Sequence, residues 1–288
     1  MEKKLVLGTV QMGLDYGINN KAGKIPVEES FRILKKAFEL GINTIDTAEA
    51  YGSAHQVIGN FHRLNSNIQY KIITKFPHEI KKDEVEQKIV SYVEELNVNN
   101  LEVLMFHSFD SYQKNKETLP ILNNLKSRGL IKNIGVSVYT NFQIEVLLSE
   151  DEVSVIQLPF NLLDNEFQRG DLLEKAKLAN KEIHTRSAFL QGLFFKNQFN
   201  DEVSLQLEDH LVKINNISEK EGISLTELAL SYCLAQRNID KVLIGVDSEN
   251  QLIENVLAAD YKISDDIIGK IKNIKVKNID LLNPSLWK

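Results

Sequence analysis

A chain of 288 residues, 43% of them hydrophobic, has ample material for a large buried core. Its net charge of -6, with no Lys/Arg cluster interleaved with aromatics, sets nucleic acid aside as a partner. A single cysteine, Cys233, excludes an intrachain disulfide and a cysteine-rich zinc site, and no apolar run reaches the roughly 18 residues of a membrane span.

The first predicted element is the β-rich run 4–9, whose apolar stretch is too short for a signal peptide, so a cytoplasmic location is expected. Residues 28–40 follow with Phe31, Leu34, Ala37 and Phe38 at helical spacing, and Gly41 stands where a C-terminal cap belongs. Strand runs continue at 43–47 and 70–75. A helix is predicted over 83–96 on Val85, Ile89, Val93 and Leu96, entered through the solvated charges Lys81-Lys82-Asp83-Glu84. Further strand runs are 101–107, 134–137, 153–158, 182–187 and 241–245, with Gly129 as a second expected cap. Cys233 lies in the apolar stretch 228–234 and reads as a small buried hydrophobe. Trp287, beside Leu286, reads as a packing anchor for the tail, with a place in the substrate pocket as the alternative.

Eight strand–helix units follow one another without a linker, a low-complexity tract or a shift in composition. They predict one α/β domain over residues 1–288, a closed (β/α)8 TIM barrel. An open doubly wound sheet would announce a dinucleotide site by G-x-G-x-x-G after its first strand. Here that strand ends Gly8-Thr9-Val10-Gln11-Met12-Gly13, which lacks the spacing.

In such a barrel reactive groups gather at the C-terminal ends of the strands. The predicted ends are polar or charged: Asp46, Lys75, His107, Ser137, Gln157, then Arg186 with Ser187. Tyr51 lies on the loop just after Asp46, and Asp15-Tyr16-Gly17 after the first strand can reach the same mouth. An ammonium beside a phenol favours the phenolate and makes proton donation easier. Lys75 can supply that charge, Asp46 can hold it protonated, and His107 can orient a substrate oxygen. No serine or cysteine nucleophile has an evident base, and a Schiff base on Lys75 is disfavoured by Asp46. His55, His62, His78, His184 and His210 have neither zinc nor relay spacing and receive no catalytic role. A carbonyl polarised in this way needs a nucleophile, and hydride from a nicotinamide is the evident one.

The segments Gly41-Ile-Asn-Thr-Ile-Asp46-Thr-Ala-Glu-Ala-Tyr51-Gly52, Ile73-Thr-Lys75 and Leu104-Met-Phe-His107 resemble those that carry the catalytic tetrad of the aldo-keto reductase family. The resemblance runs through Gly8-Thr9, Gly135-Val136-Ser137, Gln191-Gly192-Leu193 and Ile244-Gly245…Glu254-Asn255, essentially the whole chain. It implies a carbonyl reductase acting on an aldehyde, ketone or sugar, with Asp46, Tyr51, Lys75 and His107 as the tetrad and no metal. It also implies a cofactor, NADP(H) or NAD(H), met by Gly8 and Thr9, by Ser137 and Gln157 at the carboxamide, and by Arg186 and Ser187. Val138 stands where the family usually has Asn, and Arg186 replaces the usual stacking aromatic. A guanidinium can lie flat on a ring, or reach an anionic substrate instead.

At the adenosine end, Gly245-Val246-Asp247…Gln251…Glu254-Asn255 is similar to the family's Gly-Ala-Ser…Glu-Asn pattern. Asp247 in place of a hydroxyl, and Gln251 in place of a base, imply a weaker preference for the 2′-phosphate of NADP(H). The alternative function is a nicotinamide-binding regulatory or interaction protein with little turnover. The segments around Arg186 and Leu7 look similar to bacterial members linked to surface sugars, which implies a sugar or nucleotide-sugar substrate. No exposed heptad or apolar stripe marks an oligomer, so a monomer or weak oligomer is expected.

Overall fold

Strand runs of three to seven residues, rich in Ile, Val and Leu, can be buried on both faces only when helices cover them outside and each strand finds two neighbours. A closed barrel satisfies both conditions. The computed structural model describes residues 3–17, 20, 23–196 and 198–287. Its strands are β1 (Leu5–Gly8), β2 (Thr44–Asp46), β3 (Lys71–Lys75), β4 (Leu101–Phe106), β5 (Ile131–Ser137), β6 (Val155–Pro159), β7 (Glu182–Arg186) and β8 (Lys241–Ile244). They pair in parallel in chain order, and β8 returns to β1 to close the barrel. The expected (β/α)8 architecture is present.

The helix Val27–Glu39 buries Ile33, Leu34 and Ala37 and ends at Gly41, φ +85°. There the Gly41 N–H donates to the Phe38 carbonyl and the Ile42 N–H to that of Ala37, the left-handed cap that glycine adopts without strain. Gly129, φ +79°, closes the helix Leu119–Ser127 in the same way. One boundary differs from expectation. β5 begins at Ile131, three residues before the predicted start. Polar Lys132 and Asn133 interrupt the apolar pattern, but they lie on the far rim, where Leu101↔Ile131 and Val103↔Asn133 pairing extends the ladder.

The core has two parts. A large cluster lies between the strands and the helices, and it includes buried Cys233, as expected. A smaller plug fills the barrel itself: Val6, Ile73, Val103, Met105, Val155 and Leu243. Gly135 leaves its place to Met105, whose Cγ would lie 3.0 Å from a Cβ there. Side chains two residues apart on a strand share a face. Lys75 therefore stands one step above Ile73, His107 above Met105, and Gln157 above Val155. The polar groups at the mouth rest on an apolar floor.

Candidate active site

At the C-terminal end of the barrel, Lys75 and Asp46 form an ion pair with side chains 2% and 3% exposed. Lys75 Nζ donates to Asp46 Oδ1 and, at 3.0 Å, to the Thr47 carbonyl. The second carboxylate oxygen, Oδ2, accepts from Gln157 Nε2 at 2.8 Å. Both oxygens are thus engaged, as a buried charge requires. The same ammonium stands beside the Tyr51 phenol, with Nζ 5.1 Å from the ring centroid. The His107 ring meets the same tyrosine edge-to-face, 5.8 Å between centroids. Four groups from two strands and the loops after β2 and β4 meet at one point.

Two glycines seat Tyr51. A Cβ on Gly13 would lie 1.6 Å from the Tyr51 carbonyl oxygen, and one on Gly52, φ +56°, would lie 2.5 Å from the Gly13 carbonyl oxygen. Only bare backbone allows the turn after β1 to touch the turn after β2 this closely. The Glu49 carboxylate anchors the same loop outward, accepting from Lys88 Nζ at 2.6 Å and from the Tyr92 hydroxyl.

Burial sets the electrostatics. It would lower the Lys75 ammonium, but Asp46, followed by Tyr51, more than offsets this and holds it above its ordinary value. Burial pushes the Tyr51 phenol up against the opposing charge of Lys75, so it keeps its proton at neutral pH. That is the reverse of the depression expected from the ammonium alone. Desolvation had no visible sign in the sequence. Burial first, and the Lys75 cation second, hold His107 down at about 4, so its imidazole is neutral near pH 7.

Above this cluster opens a cavity of about 410 Å³. Gly8, Thr9, Asp46, Tyr51, Gln157, Arg186, Ser187, Gly245, Asp247 and Gln251 all line it. Ser137 is buried beside Gln157 in the β5–β6 register and does not reach the wall. Glu254 is exposed, and Asn255 is buried further along the helix Glu249–Ala258, outside the cavity. The amide nitrogen of Gln157, predicted to meet a carboxamide, is engaged by Asp46. Tyr16 does reach the mouth, where its hydroxyl accepts from Gln191 Nε2 at 2.9 Å and bridges the loops after β1 and β7. Trp287 donates through Nε1 to the Leu281 carbonyl and packs on the core, outside this cavity.

Sequence reasoning missed Gly13, Gln11 and Tyr139. The side chain of Gln11 lies over Gly245, with its Oε1 buried and unpartnered. The guanidinium of Arg186 lies over the Tyr139 ring, its Cζ 4.1 Å from the centroid. For Gly13 the signal was present, a glycine before an exposed turn, but its partner segment is distant in sequence. Of the other histidines, His55 bonds Thr74 at 2.8 Å and His62 bonds the Leu96 carbonyl at 2.7 Å, packing roles away from the cavity.

A sequence profile of the Aldo/keto reductase family matches residues 4–276. Among named relatives, an NADH-specific methylglyoxal reductase of Escherichia coli is 22% identical, over 91% of this chain and 95% of its own. A putative voltage-gated potassium channel subunit beta of Schizosaccharomyces pombe is 24% identical, over 86% of this chain and 84% of its own. Among solved structures, the holo form of an aldo-keto reductase from Bacillus halodurans superposes with a TM-score of 0.76 at 20% identity, over 94% of this chain and 91% of that one.

Proposed function

The chain belongs to the aldo/keto reductase family, and from that premise we propose that it reduces an aldehyde, ketone or sugar carbonyl with a nicotinamide cofactor, Tyr51 giving the proton. The observation that carries this reading is the buried Lys75 ammonium paired with the Asp46 carboxylate and standing beside the Tyr51 ring.

The wall of the cavity suits such a cofactor. Gly8 and Gly245 line it, and Gln11, whose side chain lies over Gly245, has its Oε1 buried without a partner, as a group awaiting a polar ligand would be. Gly8, Thr9, Ser187 and Gly245 would border the nicotinamide and phosphates. Ser137 and Gln157 would stand on the carboxamide side, and Asp247, Gln251, Glu254 and Asn255 at the adenosine. When bound, a reduced nicotinamide supplies hydride to the carbonyl carbon. The residues supply the rest. The neutral imidazole of His107 donates to the carbonyl oxygen and orients it. Tyr51 Oη passes its proton to that oxygen, and the phenolate left behind is stabilised by Lys75, which Asp46 keeps charged. Asp247 favours a 2′-hydroxyl over a 2′-phosphate, so NADH serves beside NADPH. In this reading residues 1–288 act as one domain, a monomer or weak oligomer in the cytoplasm.

The test is Tyr51→Phe, assayed with methylglyoxal and a set of generic aldehydes in NADH and NADPH. Turnover should fall about 10²- to 10⁴-fold, while fluorescence titration shows cofactor binding nearly unchanged. Undiminished turnover in Tyr51→Phe would refute the role of the phenol. Tight binding of NADH by the unaltered protein, with no oxidation by any aldehyde, would instead favour a regulatory nicotinamide-binding protein.

A further inference from the structure

The charged side chains that line the cavity are Asp46, Arg186 and Asp247. Asp46 is neutralised by Lys75, and Asp247 lies on the exposed turn before the helix Glu249–Ala258. Arg186 is different. It closes β7 at the register of Pro159, half-buried, with its Cζ 4.1 Å above the Tyr139 ring centroid. Its Nη2 donates to the Val138 carbonyl at 3.2 Å. No carboxylate among the described residues pairs with it. Arg32, Arg128 and Arg169 each have an acidic partner, Glu29, Glu86 and Asp164. In a chain with 40 acidic residues against 34 basic ones, a half-buried guanidinium on this cavity wall with no carboxylate beside it among the described residues is available to an anionic ligand.

Its seat is also rigid. The Tyr139 ring and the Val138 carbonyl hold the guanidinium, and most of its five N–H donors have no acceptor among the described residues. A guanidinium presented in this way matches the two oxygens of a carboxylate or phosphate. It is also close enough to the reactive cluster for its charge to act on both Tyr51 and His107.

We propose that Arg186, seated on Tyr139, is an anion subsite beside the carbonyl site, and that the preferred substrate is an aldehyde or ketone carrying a carboxylate or phosphate. The inference rests on the reductase reading and adds to it the charge of the substrate. Replacement of an aromatic by Arg186 then has a purpose that flat packing against a ring does not require.

The experiment compares matched pairs differing in one anionic group: benzaldehyde with 4-carboxybenzaldehyde, and glyceraldehyde with glyceraldehyde 3-phosphate. Turnover of any of them by the unaltered enzyme upholds the reductase reading, whatever follows. The unaltered enzyme should favour the anionic member of at least one pair in kcat/KM, and the preferred pair tells carboxylate from phosphate. In Arg186→Met the anionic-to-neutral ratio should fall about 10- to 100-fold, the size of one charge-assisted hydrogen bond, chiefly through KM. Arg186→Lys should restore part of the ratio. Tyr139→Leu, which keeps the cation and removes its seat, should lower it less than Arg186→Met does. These ratios refer only to the active fraction, so partial misfolding does not disturb them. Two results would overturn the inference. One is an unaltered enzyme with no preference for charge. The other is Arg186→Met losing both members of each pair equally while NADH affinity weakens in step, which would assign the guanidinium to the cofactor's phosphates.

Discussion

Two buried ion pairs stand near the mouth of the barrel. Lys75–Asp46 lies at its centre, and Arg169–Asp164, at 2.5 Å with side chains 5% and 6% exposed, lies in the loops beyond β6. Burial and pairing do not distinguish them. The difference lies in the remaining donors. Arg169 gives Nη1 to the Tyr139 carbonyl and Asn141 Oδ1, both at 3.0 Å, and Nη2 to the Pro159 carbonyl at 3.2 Å. It ties the loops after β5 and β6 together and reaches no reactive group. Lys75 donates to one carboxylate and one carbonyl, and its ammonium also stands beside the ring of Tyr51, a phenol that lines the cavity. A buried ion pair alone is weak grounds for a site. A buried pair whose cation stands beside a phenol on the cavity wall is much stronger.

The largest expected effects break that comparison directly. Lys75→Met should lower turnover about 10³-fold, within the range for loss of acid–base assistance. It leaves Asp46 buried with Gln157 as its remaining side-chain donor, so the double variant Asp46→Asn/Lys75→Met, lacking the stranded charge, separates chemistry from stability. Arg169→Met should do the opposite. Stranding Asp164 should cost about 3–5 kcal/mol of stability, read from urea midpoints, while the folded fraction keeps most of its turnover on neutral aldehydes. If both variants lose turnover alike, the distinction between the pairs fails.

Next in size is a pH effect. Burial first holds both His55 and His107 down at about 4, and the Lys75 cation lowers each as well. Between the ordinary value near 6.5 and 4, the unfolded chain takes up protons that these folded imidazoles refuse. Stability therefore falls as pH drops through that window and is regained above it. For His55, with a side chain 4% exposed, the contribution is roughly 3 kcal/mol. Urea midpoints at pH 7 and pH 4.5 should converge in His55→Asn relative to the unaltered protein. Proton NMR sharpens the comparison of the ion pairs. Lys75→Met should raise the His107 pKa, and Arg169→Met should leave it in place.

The half of the mouth around Lys75 was legible in the sequence, because alternation along a strand places Lys75 over Ile73 and His107 over Met105 once the strands are found. Asp46, Tyr51, Lys75 and His107 lie together at the mouth, as that reasoning placed them. Other features depend on contacts between segments far apart in the chain, which no local pattern records. Gly13 matters only because Tyr51 arrives against it, and Tyr139 only because Arg186 lies on its face. The upward shift of Tyr51 was hidden for the same reason, since desolvation belongs to the packed barrel. The start of β5 was obscured by polar residues at a rim where pairing continues without burial.

The smallest expected effect tests the other end of the cavity, where side chains are exposed and hydrogen bonding is sparse. Gln251 Oε1 accepts the Asp247 backbone N–H at 2.6 Å, and the Gln251 N–H donates to Ser248, which caps the helix Glu249–Ala258. The Asp247 carboxylate has no cation across from it in this network. A 2′-phosphate beside it would be repelled, but solvent and salt screen exposed charges, so the penalty is modest. Asp247→Ser should raise kcat/KM with NADPH relative to NADH about 5- to 10-fold, and the gain should shrink in 0.5 M salt, where the Debye length is only about 4 Å. Asp247→Asn isolates charge from size and should give most of the same change. A ratio indifferent to both variants would mean that the ribose lies away from residue 247, and that the adenosine end is recognised from the Asn255 side of the helix instead.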